Sequence, residues 1–528
     1  MTTTTTTTHH VIEGAALVQA IPAVTLPQLI RERARQHLGD IALVDAASGR
    51  SSTYGEVDLL IGRCAAGLAA QGFKPGDVLV IFAPNSIDWP IAALGAMAAG
   101  GVVSGANPMY LAADLAHQLR NSGARFVLTI PPLLATVRDA AAQAGCENIL
   151  VFGEAEGCVS YATLLACQEP EPVVPQNPDA LAALPCSSGT TGLPKGVMVT
   201  HRTIVSNIMQ FDQVLPSPQG SVVLAFLPMF HIYGFTLITM AGLAAGAKLV
   251  TVPRFEPEPF LNAIATYRVS RLGVVPPVMQ FLAGHPMVDN YDLTCLERIA
   301  CGAAPMGSAL EEKVSQRLKC PVVQGFGMTE SSGCVTGTAP DRKRSGSSGE
   351  LLPGTQGRVV SIETGADMPR GEQGEIWFRG PQQFIGYLNQ PVATAETITP
   401  DGWVRTGDIG YFDADGYLFI TDRLKELIKV KGFQVAPAEL EALLLTHPNV
   451  ADVAVISRPD ERSGEVPVAY VVPRGELDAP LLKAWLAERV VDFKQLADLV
   501  VCEAIPKNPS GKILRRVLRA QDAARGAG

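Results

Sequence analysis

The densest group of residues able to do chemistry is Ser187-Ser188-Gly189-Thr190-Thr191-Gly192-Leu193-Pro194-Lys195-Gly196. Backbone N–H and hydroxyl groups at this density offer donors to anionic oxygens, and the lysine adds a point charge. That is the chemistry of a polyphosphate cradle. The string is not a Walker A loop, because Lys195 stands three residues after Gly192 and is followed by glycine. Taken alone, such a string is more often a flexible loop. Farther along, Arg423, Lys425, Lys429 and Lys431 follow one another with only Glu426 opposing them. A run like this is ordinarily a solvated face, but a phosphate-holding cleft beside it would explain it better. Lys512 follows Pro509-Ser510-Gly511, turn-forming residues that set it on an exposed tip. Beside Arg515 and Arg516 it also reads as a solvated surface lysine. His231 sits in an apolar segment, where a histidine is more often a satisfied core residue.

The elements that must position these residues alternate. Strand-like runs at 78–83, 125–130, 248–252 and 271–275 are interleaved with helix-like runs at 89–98, 257–267 and 277–283. This alternation predicts βαβ units and a mostly parallel sheet. Residues 371–417 differ, with many glycines, several aromatics and strand-like pieces at 375–379, 402–406 and 417–421. After Asp422-Arg423-Leu424-Lys425 the pattern changes again, to a compact α+β unit. Its first helix opens at Pro437, which suits a first helical turn, and Leu440, Leu443 and Leu444 give it an apolar face. The expected fold class is α/β. A large N-terminal domain at 21–421 holds βαβ-type sheets layered with helices and a small β-rich subdomain at about 350–421. A hinge at 422–425 leads to a small mobile α+β domain at 426–528, and residues 1–20 are expected to be a disordered leader.

Composition narrows the classes. With 528 residues, 47% hydrophobic, the chain has material for more than one core and is not a disordered protein. A net charge of −9 argues against a globally basic nucleic-acid binder. Ten cysteines lie scattered with no C-x-x-C, which reads as reduced thiols in a cytoplasmic protein. The threonine-rich start lacks the basic and apolar regions of a secretory signal. Residues 91–106 and 235–247 are apolar but too short to cross a bilayer, so they are expected as buried core helices without membrane insertion.

The ten-residue string resembles the phosphate-binding signature of the adenylate-forming superfamily: acyl-CoA synthetases, luciferases and peptide-synthetase adenylation domains. Gln324-Gly325-Phe326-Gly327-Met328-Thr329-Glu330, Thr406-Gly407-Asp408, Asp422 to Lys429 and Pro509-Ser510-Gly511-Lys512 resemble its further motifs, in family order. Within the superfamily the chain is most similar to the 4-coumarate:CoA ligases. Phe230-His231-Ile232-Tyr233-Gly234, Gly374-Glu375-Ile376-Trp377-Phe378-Arg379-Gly380 and the stretch 431–441 carry that finer likeness, though medium-chain acyl ligases and luciferases share much of it.

The resemblance implies a two-step reaction using ATP, Mg²⁺ and CoA. A carboxylate attacks the α-phosphorus of ATP, then CoA displaces AMP from the acyl-adenylate. Ser187, Ser188, Gly189, Thr190, Thr191 and Lys195 are expected at the phosphates. Ala303, Gln324, Gly325, Phe326, Gly327 and Thr329 are expected around the nucleotide, with Phe326 stacked on adenine. Glu330 is the expected Mg²⁺ ligand and Asp408 the acceptor of both ribose hydroxyls. Arg423 would reach ribose or phosphate, and Lys425 is the pivot. Lys512 would serve adenylation and Lys429 the step after the pivot, with Gln434 near the carboxylate or AMP. His231 would orient the carboxylate or gate CoA. Phe230, Tyr233, Ala303 and Gly325 would wall the acid pocket, and Arg254, Lys431 and Gly432 would meet CoA.

One departure bears on the acid. Many plant members have Lys-Ser-Gly-Gly-Ala-Pro where this chain has Ala300-Cys301-Gly302-Ala303-Ala304-Pro305. The absent lysine could have met the phenol end of coumarate, and Ala303 narrows the pocket. Cinnamate and aliphatic acids therefore stay open beside hydroxycinnamates. The expected partners are a small carboxylic acid and CoA, not nucleic acid. The alternatives are a medium-chain fatty acyl-CoA ligase, an enzyme loading a carrier protein, and a non-catalytic nucleotide binder. The last should have lost Lys512, Asp408 or Glu330, and all three are present.

Overall fold

The computed structural model describes residues 10–187, 195–304, 306–431, 433–508 and 511–526. The alternating pattern folds into two large sheets. One has nine strands, with the parallel run Val102–Gly105, Val78–Phe82, Ala124–Thr129, Asn148–Val151 and Val159–Ser160 along one side. The other has seven, in the order Val322–Gln324, Arg298–Cys301, Arg271–Val274, Val222–Ala225, Lys248–Thr251, Ile41–Asp45 and Ser51–Thr53. All its pairs are parallel except the last. All five residues of Val78–Phe82 are buried, as a parallel strand covered on both faces requires. The helix Asp88–Ala98 is buried on nearly every side and joins both sheets in one apolar core. Helices Pro257–Tyr267 and Pro276–Gly284 open on proline, where its missing N–H costs nothing.

Residues 91–106 are not the single buried helix expected. The helix stops at Ala98, and after Gly100-Gly101 the chain re-enters the sheet as Val102–Gly105. Gly100 turns there with φ +80°. Residues 235–247 are helical and buried as expected, but the first part, Tyr233–Met240, is wound as a π-helix. Thr239 Oγ donates to the carbonyl of Gly234, five residues back, at 2.8 Å. Such windings are uncommon and concentrate at functional sites.

The β-rich segment forms a five-stranded antiparallel sheet ordered Ile12–Glu13, Gln356–Val360, Gly374–Arg379, Val404–Phe412 and Leu418–Arg423. Its first strand corrects the expected leader. Ile12 is buried and pairs with Gly357, because burying an isoleucine and completing a sheet edge outweigh the entropy of ordering so short a piece. The piece expected at 402–406 starts at Val404 and runs on to Phe412.

Leu418–Arg423 closes that sheet, and Ile428–Val430 opens another, with Phe433–Val435, Val450–Asp460, Gly464–Pro473 and Asp498–Val501. This second sheet has its own apolar clusters, one around Ile428, Leu440, Leu444 and Val455, the other around Ile456, Tyr470 and Leu518. The change of sheet falls across residues 424–427. All ten cysteines are free thiols. Among the described residues, no helix is long and apolar enough to cross a membrane.

Candidate active site

A cavity of about 700 Å³ opens at the carboxyl ends of Arg271–Val274, Arg298–Cys301 and Val322–Gln324, where open parallel sheets bind ligands. Most of the predicted residues line it: Ser187, Lys195, Phe230, His231, Tyr233, Ala303, Gln324, Gly325, Phe326, Gly327, Thr329, Glu330, Asp408, Arg423, Lys425 and Lys512. They come from segments spread over more than three hundred positions. Ser188, Gly189, Thr190, Thr191 and Gly432 lie outside the described residues. The two ends of the phosphate-cradle string are nonetheless fixed, since Ser187 and Lys195 pair across an antiparallel ladder at the cavity wall.

Asp408 lies on Val404–Phe412 and is buried. It faces Arg423 across the antiparallel pair, with the guanidinium 3.2 Å from its carboxylate. Burial pushes the Asp408 carboxyl up from its ordinary value, against the pull of Arg423 and Lys512. Arg423 is held in its charged form, above all by Asp408. Glu330 is also buried, and its Oε1 accepts from the Tyr387 hydroxyl at 2.7 Å. The Lys195 ammonium lies 4.9 Å from the centre of the same tyrosine ring. Tyr387 therefore joins the cation of the cradle to the carboxylate. Sequence reasoning missed it, and an aromatic beside a glycine carries no signal for such a role.

Lys512 enters the cavity from the far end of the chain. Its backbone N–H donates to Asn508 Oδ1 at 2.8 Å, and its carbonyl accepts from the Asn508 N–H at 2.9 Å. Burial and the Arg423 charge lower its amine to about 8, while Asp408, Glu330 and Glu426 partly offset them. His231 is lowered to about 4, first by burial and then by Lys512, so it is neutral at neutral pH. Its Nδ1 accepts from the Tyr233 backbone N–H at 3.3 Å, which leaves Nε2 as the donor. The Tyr233 hydroxyl donates to the carbonyl of Ala300 at 3.2 Å, pinning its ring against the pocket. Gln324 donates to Glu311 at 2.7 Å, and Lys343 pairs with the same carboxylate.

Four predicted residues stand away from the cavity. Arg254 is exposed and paired with Glu256 at 2.6 Å. Lys429 and Gln434 face one another across a short hairpin, both exposed. Lys431 is exposed at the tip of that hairpin, with φ +52°. Gln434 is thus not near the cavity in this arrangement, because its register ties it to Lys429 rather than to Lys512.

Cationic groups from three segments and two buried carboxylates, set around one cleft, can neutralise a polyphosphate and a second anion together. Glu330 fits a phosphate-bound divalent cation. One of its oxygens is taken by Tyr387, and the other has no protein partner among the described residues. A single carboxylate suffices for Mg²⁺ when phosphates complete the shell.

Residues 30–388 match the AMP-binding enzyme family, and residues 439–512 match the AMP-binding enzyme C-terminal domain. The chain is 41% identical over 497 residues to 4-coumarate--CoA ligase 2 of Nicotiana tabacum, covering 91% of both chains. It is 39% identical over 507 residues to 4-coumarate--CoA ligase of Pinus taeda, covering 94% of both. Among solved structures, ATP-bound MatB from Rhodopseudomonas palustris matches with a TM-score of 0.86 at 28% identity, covering 94% of this chain and 99% of that one. The o-succinylbenzoate CoA synthetase of Bacillus subtilis, in complex with its acyl-adenylate intermediate, matches with a TM-score of 0.82 at 27% identity, covering 93% and 98%.

Proposed function

The chain belongs to the AMP-binding enzyme family, and from that premise we propose that it makes hydroxycinnamoyl-CoA, with 4-coumarate as the preferred acid. It is an acid:CoA ligase working through an acyl-adenylate. It consumes ATP and CoA with Mg²⁺ and releases AMP and pyrophosphate. The observation that carries the mechanism is the arrival of Lys512 in the cavity that also holds Asp408, Glu330 and Lys195. The acid's carboxylate attacks the α-phosphorus, forming the acyl–phosphate bond as pyrophosphate leaves. Lys512 offsets charge developing between carboxylate and phosphate, and Lys195 meets the leaving phosphates. Asp408 receives the ribose hydroxyls, and Phe326 stacks on adenine. When Mg²⁺ is bound, it neutralises phosphate charge beside Glu330. In the second step the CoA sulfur attacks the acyl carbon, and the electron pair leaves on AMP. Ten free thiols support a reducing, cytoplasmic setting.

The acid pocket lies between Tyr233, Phe230, Ala303 and Gly325. Its wall continues along Ile238 and Leu272 to Arg298, the full length of the strand Arg298–Cys301, about 13 Å at strand rise. That depth favours a second reading, a medium-chain aliphatic acid. The deciding experiment follows AMP release and thioester absorbance with 4-coumarate, cinnamate, benzoate and octanoate. The expected result is the highest kcat/KM with 4-coumarate. A preference for octanoate overturns the hydroxycinnamate reading, and AMP release without thioester overturns CoA as acceptor.

Ala303 tunes the pocket. Its φ of +74° is left-handed, which costs an alanine about 1 kcal/mol. Ala303→Gly removes that strain but adds freedom to the unfolded chain, so stability should move by less than about 1 kcal/mol. Losing the methyl group should lower KM for ring-substituted hydroxycinnamates by about threefold, the worth of most of one buried methylene. Steady-state kinetics with 4-coumarate and its 3-methoxy analogue check this.

A further inference from the structure

Thr406-Gly407-Asp408 lies where the strand Val404–Phe412 slips in register against Gly374–Arg379, between Glu375 and Trp377. Gly407 adopts φ +70° there, and a slip of this kind takes backbone groups out of the ladder. The Gly407 N–H is recovered by a side chain, donating to Glu375 Oε1 at 3.0 Å. Thr406 Oγ donates to the Ile376 carbonyl at 2.6 Å and accepts from the Asp408 N–H at 3.0 Å. The other oxygen of Glu375 accepts from the Trp377 indole N–H at 2.7 Å. Glu375 borders the cavity, yet both of its oxygens are spent on protein donors.

Trp377 is itself clamped. The guanidinium groups of Arg405 and Arg358 lie 5.0 Å and 4.6 Å from its ring centre. Arg358 also lies 4.5 Å from the ring of Trp403, which Arg379 approaches at 4.8 Å. The result is a ladder, Arg405–Trp377–Arg358–Trp403–Arg379, across three strands. Cations over aromatic faces attract. Asp367, 3.5 Å from Arg358, relieves the repulsion among the arginines. The ladder fixes where the indole N–H points, and so fixes Glu375.

We infer that Glu375 is a positioning residue of the nucleotide site, holding Gly407 so that the Asp408 carboxylate meets the ribose, with Trp377 holding Glu375 in turn. This rests on the reading that Asp408 receives the ribose hydroxyls. Gly407 and Trp377 donate to different oxygens of Glu375, and glutamine at 375 would turn one of those two acceptors into an NH2 donor facing an N–H. Trp377→Phe keeps an aromatic ring in the ladder but removes the N–H together with one ring of the indole.

The test compares the full-length wild type, Glu375→Gln and Trp377→Phe. The readouts are KM for ATP, KM for the acid, and the kcat/KM preference for ATP over 2′-deoxy-ATP and 3′-deoxy-ATP. Glu375→Gln is expected to raise KM for ATP about tenfold, the size of one charge-assisted hydrogen bond, and to leave KM for the acid within about twofold. The preference for ATP over the deoxynucleotides should shrink several-fold, because a displaced Asp408 no longer distinguishes them. Trp377→Phe should shift the same quantities less, and it carries the test if Glu375→Gln fails to fold. Wild-type KM for ATP and wild-type preference in a folded variant overturn the inference, as does an equal rise in both KM values. A wild-type enzyme that turns over ATP without preferring it to the deoxynucleotides overturns the ribose reading instead, and the inference falls with it.

Discussion

Lys512→Ala is expected to lose adenylation by about 10²–10³-fold while still converting supplied acyl-adenylate and CoA into thioester. The side chain is the one cation that the C-terminal segment after residue 500 places in the cavity among the described residues. Its removal strips a charge from the cavity in which, on the proposed mechanism, the carboxylate meets phosphorus. The loop should survive the change, because its bonds are made by backbone. Asn508 and Lys512 exchange contacts through main-chain atoms and the Asn508 side chain, and the Leu514 N–H donates to the Pro506 carbonyl at 2.8 Å. Lys429→Ala should show the reverse, with normal adenylation and slow thioester formation. In this structure Lys429 is exposed, and its N–H donates to Glu465 at 2.8 Å. It can act only if the C-terminal unit turns about residues near Lys425, a hinge motion between half-reactions. Pyrophosphate exchange reads the first step, and thioester absorbance from acyl-adenylate reads the second. Equal loss in both steps for both variants would sink the rotating-lid mechanism.

That Lys512, Asp408, Glu330 and His231 share one cleft was legible from the family motifs that carry them, not from residue type, since Lys512 also reads as a solvated lysine and His231 as a core histidine. The helices expected at 257–267 and 277–283 were equally plain, because proline at a helix start is a local rule, and the second opens one residue earlier, at Pro276. What could not be read depends on partners distant in sequence. Tyr387 bonds Glu330 from 57 positions away. Ile12 pairs with Gly357, a register fixed only once the sheet exists. Gln434 and Lys429 read as two site residues five positions apart, yet the hairpin turns them toward one another and away from the cleft. The resemblance supplied their roles, and no residue property says in which lid orientation they act. Glu375 and Trp377 sit in a recognised motif, but an alternating strand pattern does not reveal a register slip, and the slip is what gives Glu375 its work.

The pH dependence of adenylation follows from where Lys512 lies. Burial and Arg423 bring its amine down to about 8, so its charge is lost within an accessible range. On the proposed mechanism the protonated form is the active one, since a neutral amine offsets no phosphate charge. Adenylation kcat/KM, which reports the free enzyme, should therefore be level below about pH 8 and fall roughly tenfold per unit above it. His231, lowered to about 4, is already neutral across this range and adds no limb there. Cinnamate is the acid to use, because it has no phenol to titrate near the same pH. Lys512→Arg supplies the control. A guanidinium keeps its charge throughout, so the variant should turn over more slowly at pH 7 but lose the descending limb. Pyrophosphate exchange from pH 6 to 10 measures both enzymes. A level wild-type profile to pH 10 would show that adenylation does not depend on the Lys512 charge as proposed, and the same limb in Lys512→Arg would assign the titration to another group. The expected pair of profiles would tie the limb to one amine, carried into the cleft from beyond the change of sheet at residues 424–427.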